Sequence, residues 1–335
     1  MKNKTKVFKI IVCTLLSFTI LWSVLCGIAL ILGCKHLVLT ADYDFFVAGV
    51  PVRPNNASNI LGDGTVYYDV NNNILTFENA AIESEQWGVY SKTDLNIQLI
   101  GKNKIVCTNE EYSGGIYAGD NYISKDLAFI GEGSLTIEFP KKSGEAVGIF
   151  ADELTVTTDI TVITADCENK INGIVCSSLV MANKGTATVN NGASKNSVGV
   201  RVRGNALFEE GTMLDITVNP GTTEICKGFS VSGDIFLGKD TSLAVSVDDA
   251  LTDLGECIRV SGLIEIGNGS NVTASAKNTH AIECFGTIEA NKDATISAVS
   301  DKKIDIFCSG AVLNYGATVN AETDAIGGIH NKTEN

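Results

Sequence analysis

From residue 87 onward the chain alternates apolar and polar side chains in short runs, each broken at Gly, Asp or Asn before alternation resumes. Period-2 alternation places successive side chains on opposite faces of an extended strand, and the 3.6-residue spacing of an amphipathic helix is missing here. The runs repeat. Units begin at Gly88-Val89-Tyr90, Gly115-Ile116-Tyr117-Ala118, Gly148-Ile149-Phe150-Ala151, Gly173-Ile174-Val175-Cys176 and Gly199-Val200-Arg201-Val202. They continue at Gly228-Phe229-Ser230-Val231, Cys257-Ile258-Arg259-Val260, Ala281-Ile282-Glu283-Cys284 and Asp305-Ile306-Phe307-Cys308, with start-to-start spacings of 27, 33, 25, 26, 29, 29, 24 and 24. The last five units add a glycine at the sixth place (Gly204, Gly233, Gly262, Gly286, Gly310) and an apolar residue two places on. A second short strand follows, as in Leu135-Thr136-Ile137 or Ala187-Thr188-Val189.

Several short strands per unit, variable turns and a near-constant period predict an all-β fold: a right-handed parallel β-helix of about nine coils over residues 87–326. Propeller blades need about 40 residues or more, and a sandwich would not repeat one signature along its length. Residues 42–86 differ. Phe45–Val50 reads as a strand, and Tyr67-Tyr68-Asp69 with Ile74-Leu75-Thr76-Phe77 as a hairpin around Asn71-Asn72-Asn73, which predicts an N-terminal β cap over the open strand edges. Residues 327–335 read as a flexible tail.

The first 41 residues follow another pattern. Lys2, Lys4, Lys6 and Lys9 precede 25 residues, Ile10 to Cys34, without a charge. A helix of that length crosses the hydrocarbon core of a lipid bilayer, about 30 Å, and it is long for a cleavable signal. The expectation is a cytoplasmic tail at 1–9, a transmembrane helix at 10–34, a linker at 35–41, and everything beyond outside the cell. Two alternatives share that topology: lipid modification of Cys34, since Ile31-Leu32-Gly33-Cys34 resembles a lipobox, and cleavage near Ala41. The part outside then carries 20 basic and 39 acidic residues, a net charge of −19.

That charge removes nucleic acid as a partner, because displacing counterions from phosphates takes a dense cationic face. The arginines are Arg53, Arg201, Arg203 and Arg259 alone, and the histidines are 3. Of the 10 cysteines, Cys176, Cys284 and Cys308 share a column with Ala118, Ala151, Val202, Val231 and Val260. The column points inward, so they read as small core hydrophobes; Cys284 and Cys308 fall on adjacent coils, and disulfides stay open as an alternative. No Cys-x-x-Cys is present to suggest zinc.

The place between the two inward columns faces outward and reads Tyr90, Tyr117, Phe150, Val175, Arg201, Ser230, Arg259, Glu283 and Phe307. Three aromatics on successive coils, with Trp87 beside them, predict either a ladder covered by the cap or a surface for the apolar faces of sugar rings. The catalytic alternative is a polysaccharide lyase or hydrolase using Asp248, Asp249 and Arg201 in a lateral groove. The polygalacturonase pattern of such acids with Gly-His-Gly and Arg-x-Lys is missing. Calcium at Asp248, Asp249 and Asp253 is a further alternative, without an EF-hand or nonapeptide pattern behind it. The working expectation carries no cofactor.

Three segments add a resemblance: Tyr43-Asp44-Phe45-Phe46-Val47-Ala48-Gly49-Val50, Asn59-Ile60-Leu61-Gly62-Asp63-Gly64-Thr65-Val66-Tyr67-Tyr68-Asp69, and Leu75-Thr76-Phe77-Glu78-Asn79-Ala80. Together with the repeats they are similar to Firmicutes cell-surface proteins labelled carbohydrate-binding-domain-containing, which carry a pectate-lyase-like β-helix. The resemblance implies that fold, a place at the cell surface and a glycan partner. The usual leader of that family is cleavable, and the longer span here departs from it. The combined expectation is a membrane-anchored, non-catalytic glycan-binding or adhesin-like module; the alternatives are the lateral-groove enzyme and a structural domain without a small ligand. The sequence leaves oligomeric state open.

Overall fold

The computed structural model describes residues 42–120, 123–140, 144–219, 225–248 and 255–331. The transmembrane, lipid-anchor and cleavage expectations all fall on residues 1–41, outside the described residues, as do Asp249 and Asp253. Among the described residues, no helix is long and apolar enough to cross a membrane.

The described chain winds into a parallel β-solenoid of about eight turns with three long sheets, all β and without a helix among the described residues. Sheet one takes the strands that contain or follow the repeat starts, such as Trp87–Ser91, Tyr112–Asp120, Asn196–Val202 and Glu256–Val260. Sheet two takes the short strands after the corner, such as Leu95–Ile100, Glu153–Val156 and Ile264–Ile266. Sheet three takes the third run, such as Lys102–Cys107, Asp159–Thr164 and Ser242–Val247.

Register is strict because one face of every strand is buried, and a one-residue slip would turn that face to solvent. In sheet two Leu95, Leu127, Leu154, Leu179, Ala206, Ile235, Ile264, Ile288 and Val312 stack in one inward column. Each is at most 4% exposed, and a buried Leu or Ile side chain contributes about 2 kcal/mol. Cys176, Cys284 and Cys308 lie inside as buried thiols. Burial pushes the Cys176 thiol up to about 12, which keeps it neutral and unreactive at ordinary pH.

The corner glycines of the repeat form their own ladder. Gly233, Gly262, Gly286 and Gly310 each donate N–H to the carbonyl of the preceding corner glycine, at 2.9 to 3.1 Å.

A second glycine column, at the repeat starts, shapes sheet one. A Cβ on Gly228 would lie 2.4 Å from Val245 Cγ1 and 2.6 Å from the Cys257 carbonyl oxygen. Gly88, Gly115, Gly148, Gly173 and Gly199 meet Ile105, Ile137, Val162, Val189 and Ile216 in the same way, at 2.3 to 2.5 Å. Those β-branched residues form one in-register column of sheet three, which continues as Val245, Ala274 and Ala298. The repeat-start column continues as Cys257 and Ala281. The two columns therefore trade size: where glycine gives way to a side chain, Val or Ile shrinks to Ala.

At the N-terminal end, Phe45–Val47 pairs antiparallel with Trp87–Ser91 and with Val50–Pro51, and Val66–Asp69 pairs antiparallel with Ile74–Glu78. These antiparallel strands satisfy the first edges of sheets one and two. Parallel pairing already begins at Ile74–Glu78 and Ala81–Ser84, inside the expected cap. At the other end Ile329–Asn331 pairs with Val312–Asn314.

Candidate functional site

The repeat-start glycines also decide which side chains face out together. In strict alternation Trp87 and Tyr90, three residues apart, would point to opposite faces. The pairing of Trp87–Ser91 with Tyr112–Asp120 runs Trp87↔Gly114, Val89↔Ile116 and Tyr90↔Tyr117, passing over Gly88 and Gly115. The irregularity resets the alternation, and both Trp87 and Tyr90 are half-buried on the outer face while Val89 is buried.

Trp87 lies flat over Gly114, where a Cβ would sit 1.7 Å from indole Cζ3. Its ring centroid is 4.9 Å from that of Tyr117 and 5.7 Å from that of Tyr112. The turn that presents it is tied locally: Ser84 Oγ donates to the Trp87 carbonyl at 2.8 Å, and Gly114 N–H donates to the Gln86 carbonyl at 3.1 Å.

Tyr90, Tyr117 and Phe150 stack as consecutive rungs. Tyr90 and Tyr117 are 5.5 Å apart at 5°, and Tyr117 and Phe150 are 4.7 Å apart at 8°. Each ring covers the face of the next, so the ladder offers ring edges and phenol oxygens to solvent rather than a continuous flat surface. Burial raises the Tyr117 hydroxyl above the ordinary tyrosine value, helped by Tyr90 and Asp120, and does the same to Tyr112, helped by Glu145 and Tyr117.

The stack breaks at its N-terminal end. Phe46 is in register with Tyr90, yet its ring is tilted by 53° at 6.2 Å. The tilt opens a pocket of about 420 Å³ lined by Phe46, Gly49, Gln86, Trp87 and Tyr90. Gly49 completes a two-residue turn, Ala48-Gly49, with φ of 49° and 77°, between paired Val47 and Val50. Positive φ at both positions is the hairpin geometry that follows strand twist. The cap thus covers the first rung and forms one wall of the pocket. Of these residues the sequence pattern marks Trp87 and Tyr90. Phe46 carries a weaker signal, since Phe45 and Val47 alternate inward around it. Nothing in the local pattern marks Gln86.

The other candidates lie apart from this pocket. Asp248 directly follows the sheet-three strand Ser242–Val247 and forms an ion pair with Lys277. Arg201 sits near the far end of its sheet-one strand, Asn196–Val202, so a strand's length separates it from the edge that sheet three feeds. Among the described residues, the structure brings no carboxylate pair to Arg201. Nor is any group of three or more His, Cys, Asp or Glu among them placed to hold a metal ion.

Farther along the outward column, Arg201, Ser230, Arg259 and Glu283 replace the aromatics in register. Glu256, with a side chain only 9% exposed, gathers Arg259 Nη1 at 2.6 Å and Lys227 Nζ at 2.8 Å on the same carboxylate oxygen. No family model, no curated protein and no solved structure shows a significant match to this chain.

Proposed function

We propose that the chain is a membrane-anchored extracellular β-solenoid that binds a glycan without catalysis, holding a sugar ring between the cap and the first coil. One observation carries the reading: the pocket of about 420 Å³ is lined by Phe46, Trp87 and Tyr90 together with Gly49 and the exposed Gln86. Aromatic faces suit the C–H faces of a pyranose, and an amide supplies both a donor and an acceptor for ring hydroxyls. The volume falls within the range of small-ligand sites. The anchor rests on the uncharged run 10–34 behind four lysines.

The test is a glycan array probed with the full chain in detergent micelles, followed by calorimetric titration of the best hit. Gln86→Ala and Tyr90→Ala are expected to weaken binding tenfold or more. Phe150→Ala, at the far end of the stack, leaves it within twofold. A well-folded chain that binds no glycan, or binding indifferent to Gln86 and Tyr90, sinks the reading and leaves a structural surface domain.

A further inference from the structure

Sheet one changes character partway along the rod. Its outward column passes from Tyr90, Tyr117, Phe150 and Val175 to Arg201, Ser230, Arg259 and Glu283, each in register with the next. Two of the 4 arginines of a chain with net charge −14 therefore flank a single serine. Neighbouring coils are about 4.8 Å apart, so the stems of Arg201 and Arg259 rise about 10 Å apart with a short hydroxymethyl group between them. The result is a slot one coil wide in the outward column, where Ser230 stands in register between the stems of Arg201 and Arg259.

The two walls are held differently. Arg259 is fixed from three sides: Nη1 on Glu256 at 2.6 Å, Nε 3.7 Å from Glu283, and the guanidinium 4.9 Å from the Phe285 ring centroid. Arg201 makes no ion pair among the described residues, and Ser230 Oγ makes no hydrogen bond among them. Glu256 Oε2 is buried and without a hydrogen-bond partner. The charged groups on this face are Arg201, Lys227 and Arg259 against Glu256 and Glu283, a local excess of one positive charge. Neighbouring coils thus present a half-buried arginine and a half-buried serine whose side chains have no acceptor among the described residues.

We infer that the Arg201–Ser230–Arg259 slot binds an oxyanion, carboxylate or sulfate, carried on an acidic glycan. The Arg201 guanidinium and the Ser230 hydroxyl donate to the oxyanion. A planar guanidinium matches a carboxylate or sulfate edge through two parallel hydrogen bonds. That the carrier is a glycan rests on the function proposed above, while the slot itself stands apart from it. The slot stands four coils from the pocket at Tyr90, about 19 Å along the axis, and does not depend on what the pocket holds.

The full chain in detergent micelles is titrated calorimetrically with a hyaluronan octasaccharide, which carries carboxylates only, and with a chondroitin sulfate octasaccharide. At least one is expected to bind, more weakly as sodium chloride is raised, and the arm that binds more tightly identifies the oxyanion. Arg201→Gln removes the charge and Ser230→Leu fills the slot; each lowers affinity tenfold or more. Both side chains lie on the outer face, so far-ultraviolet circular dichroism stays unchanged. Arg203→Gln, one place beyond the inward Val202, stays within twofold, and so does Trp87→Ala, which separates this site from the pocket. Failure of both octasaccharides to bind, undiminished binding by the Arg201 and Ser230 variants, or an equal loss in Arg203→Gln overturns the inference.

Discussion

The exchange of side-chain size between sheets one and three allows a double-mutant test at Gly228 and Val245. Gly228→Ala places a Cβ 2.4 Å from Val245 Cγ1, where about 3.4 Å or more is ordinary contact. Overpacking of this kind destabilises by about 1–3 kcal/mol. Val245→Ala removes two buried methyl groups, about 1.6 kcal/mol of transfer free energy, and the gap left behind brings the loss to about 2–3 kcal/mol. Independent effects would sum to about 3–6 kcal/mol. In the double variant the new Cβ fills the space that Cγ1 vacates. Two approaches remain: the Cys257 carbonyl at 2.6 Å, a strain the next coils already accommodate because Cys257 and Ala281 carry a Cβ in that column, and Val247 Cγ2 at 2.9 Å, the end of a side chain that can give by a few tenths of an ångström. The double variant should therefore lose only about 2–3 kcal/mol, a favourable coupling of about 2 kcal/mol.

The assay is equilibrium urea unfolding of the full chain in detergent micelles, followed by far-ultraviolet circular dichroism, with midpoints compared at a common slope. The opposite exchange one coil on serves as the mirror: Ala274→Val alone destabilises, and adding Cys257→Gly restores most of the loss. Additivity within about 0.5 kcal/mol in both cycles would refute the argument that glycine is held at the repeat starts by the methyl groups facing it.

Three further outcomes follow from the site and its cap. Gly114→Ala expels the Trp87 indole from the surface it covers, so tryptophan emission shifts to the red and the pocket loses its binding; unchanged emission contradicts the packing. Ala48→Asn suits a residue held at φ of 49° ahead of Gly49 and should raise stability by about 1 kcal/mol in urea unfolding, with no gain if the turn is not of the two-residue hairpin type. Above the ordinary tyrosine range the stack weakens. Tyr117 is harder to ionise folded than unfolded, so its contribution is complete below the unfolded value of about 10 and is lost as pH rises through the higher folded value. Tyr117→Phe should show a smaller fall in unfolding midpoint between about pH 9 and 11 than the parent, and an identical fall would place the ionising group elsewhere.

Much of this architecture is legible in alternation alone. The inward columns of Leu95, Ile116 or Val245 follow from period 2, and the recurring glycines mark where each unit begins. The reason for those glycines is not legible, because it lies in a methyl group well downstream at a variable distance: 14 places on for Gly148 and Val162, 17 for Gly228 and Val245, 22 for Gly115 and Ile137. Tyr90, Tyr117 and Phe150 can be assigned to one outward column from their spacing. Their near-parallel stacking depends on χ angles that a sequence pattern does not carry, and that stacking is what turns each ring face toward its neighbour. The pocket depends on Phe46 arriving from an antiparallel strand to pair with Tyr90, 44 residues away, a contact that no repeat announces.

The coil is also a unit of length. Because each turn advances the rod by about 4.8 Å, the separation between the cap pocket and the Arg201–Ser230–Arg259 slot can change only in whole steps. Gain or loss of one coil between Phe150 and Arg201 would leave both sets of side chains intact and reset the gap between them by a single rise. The solenoid thereby acts as a graduated ruler: its repeat number, rather than the chemistry of either set of side chains, fixes the distance between them.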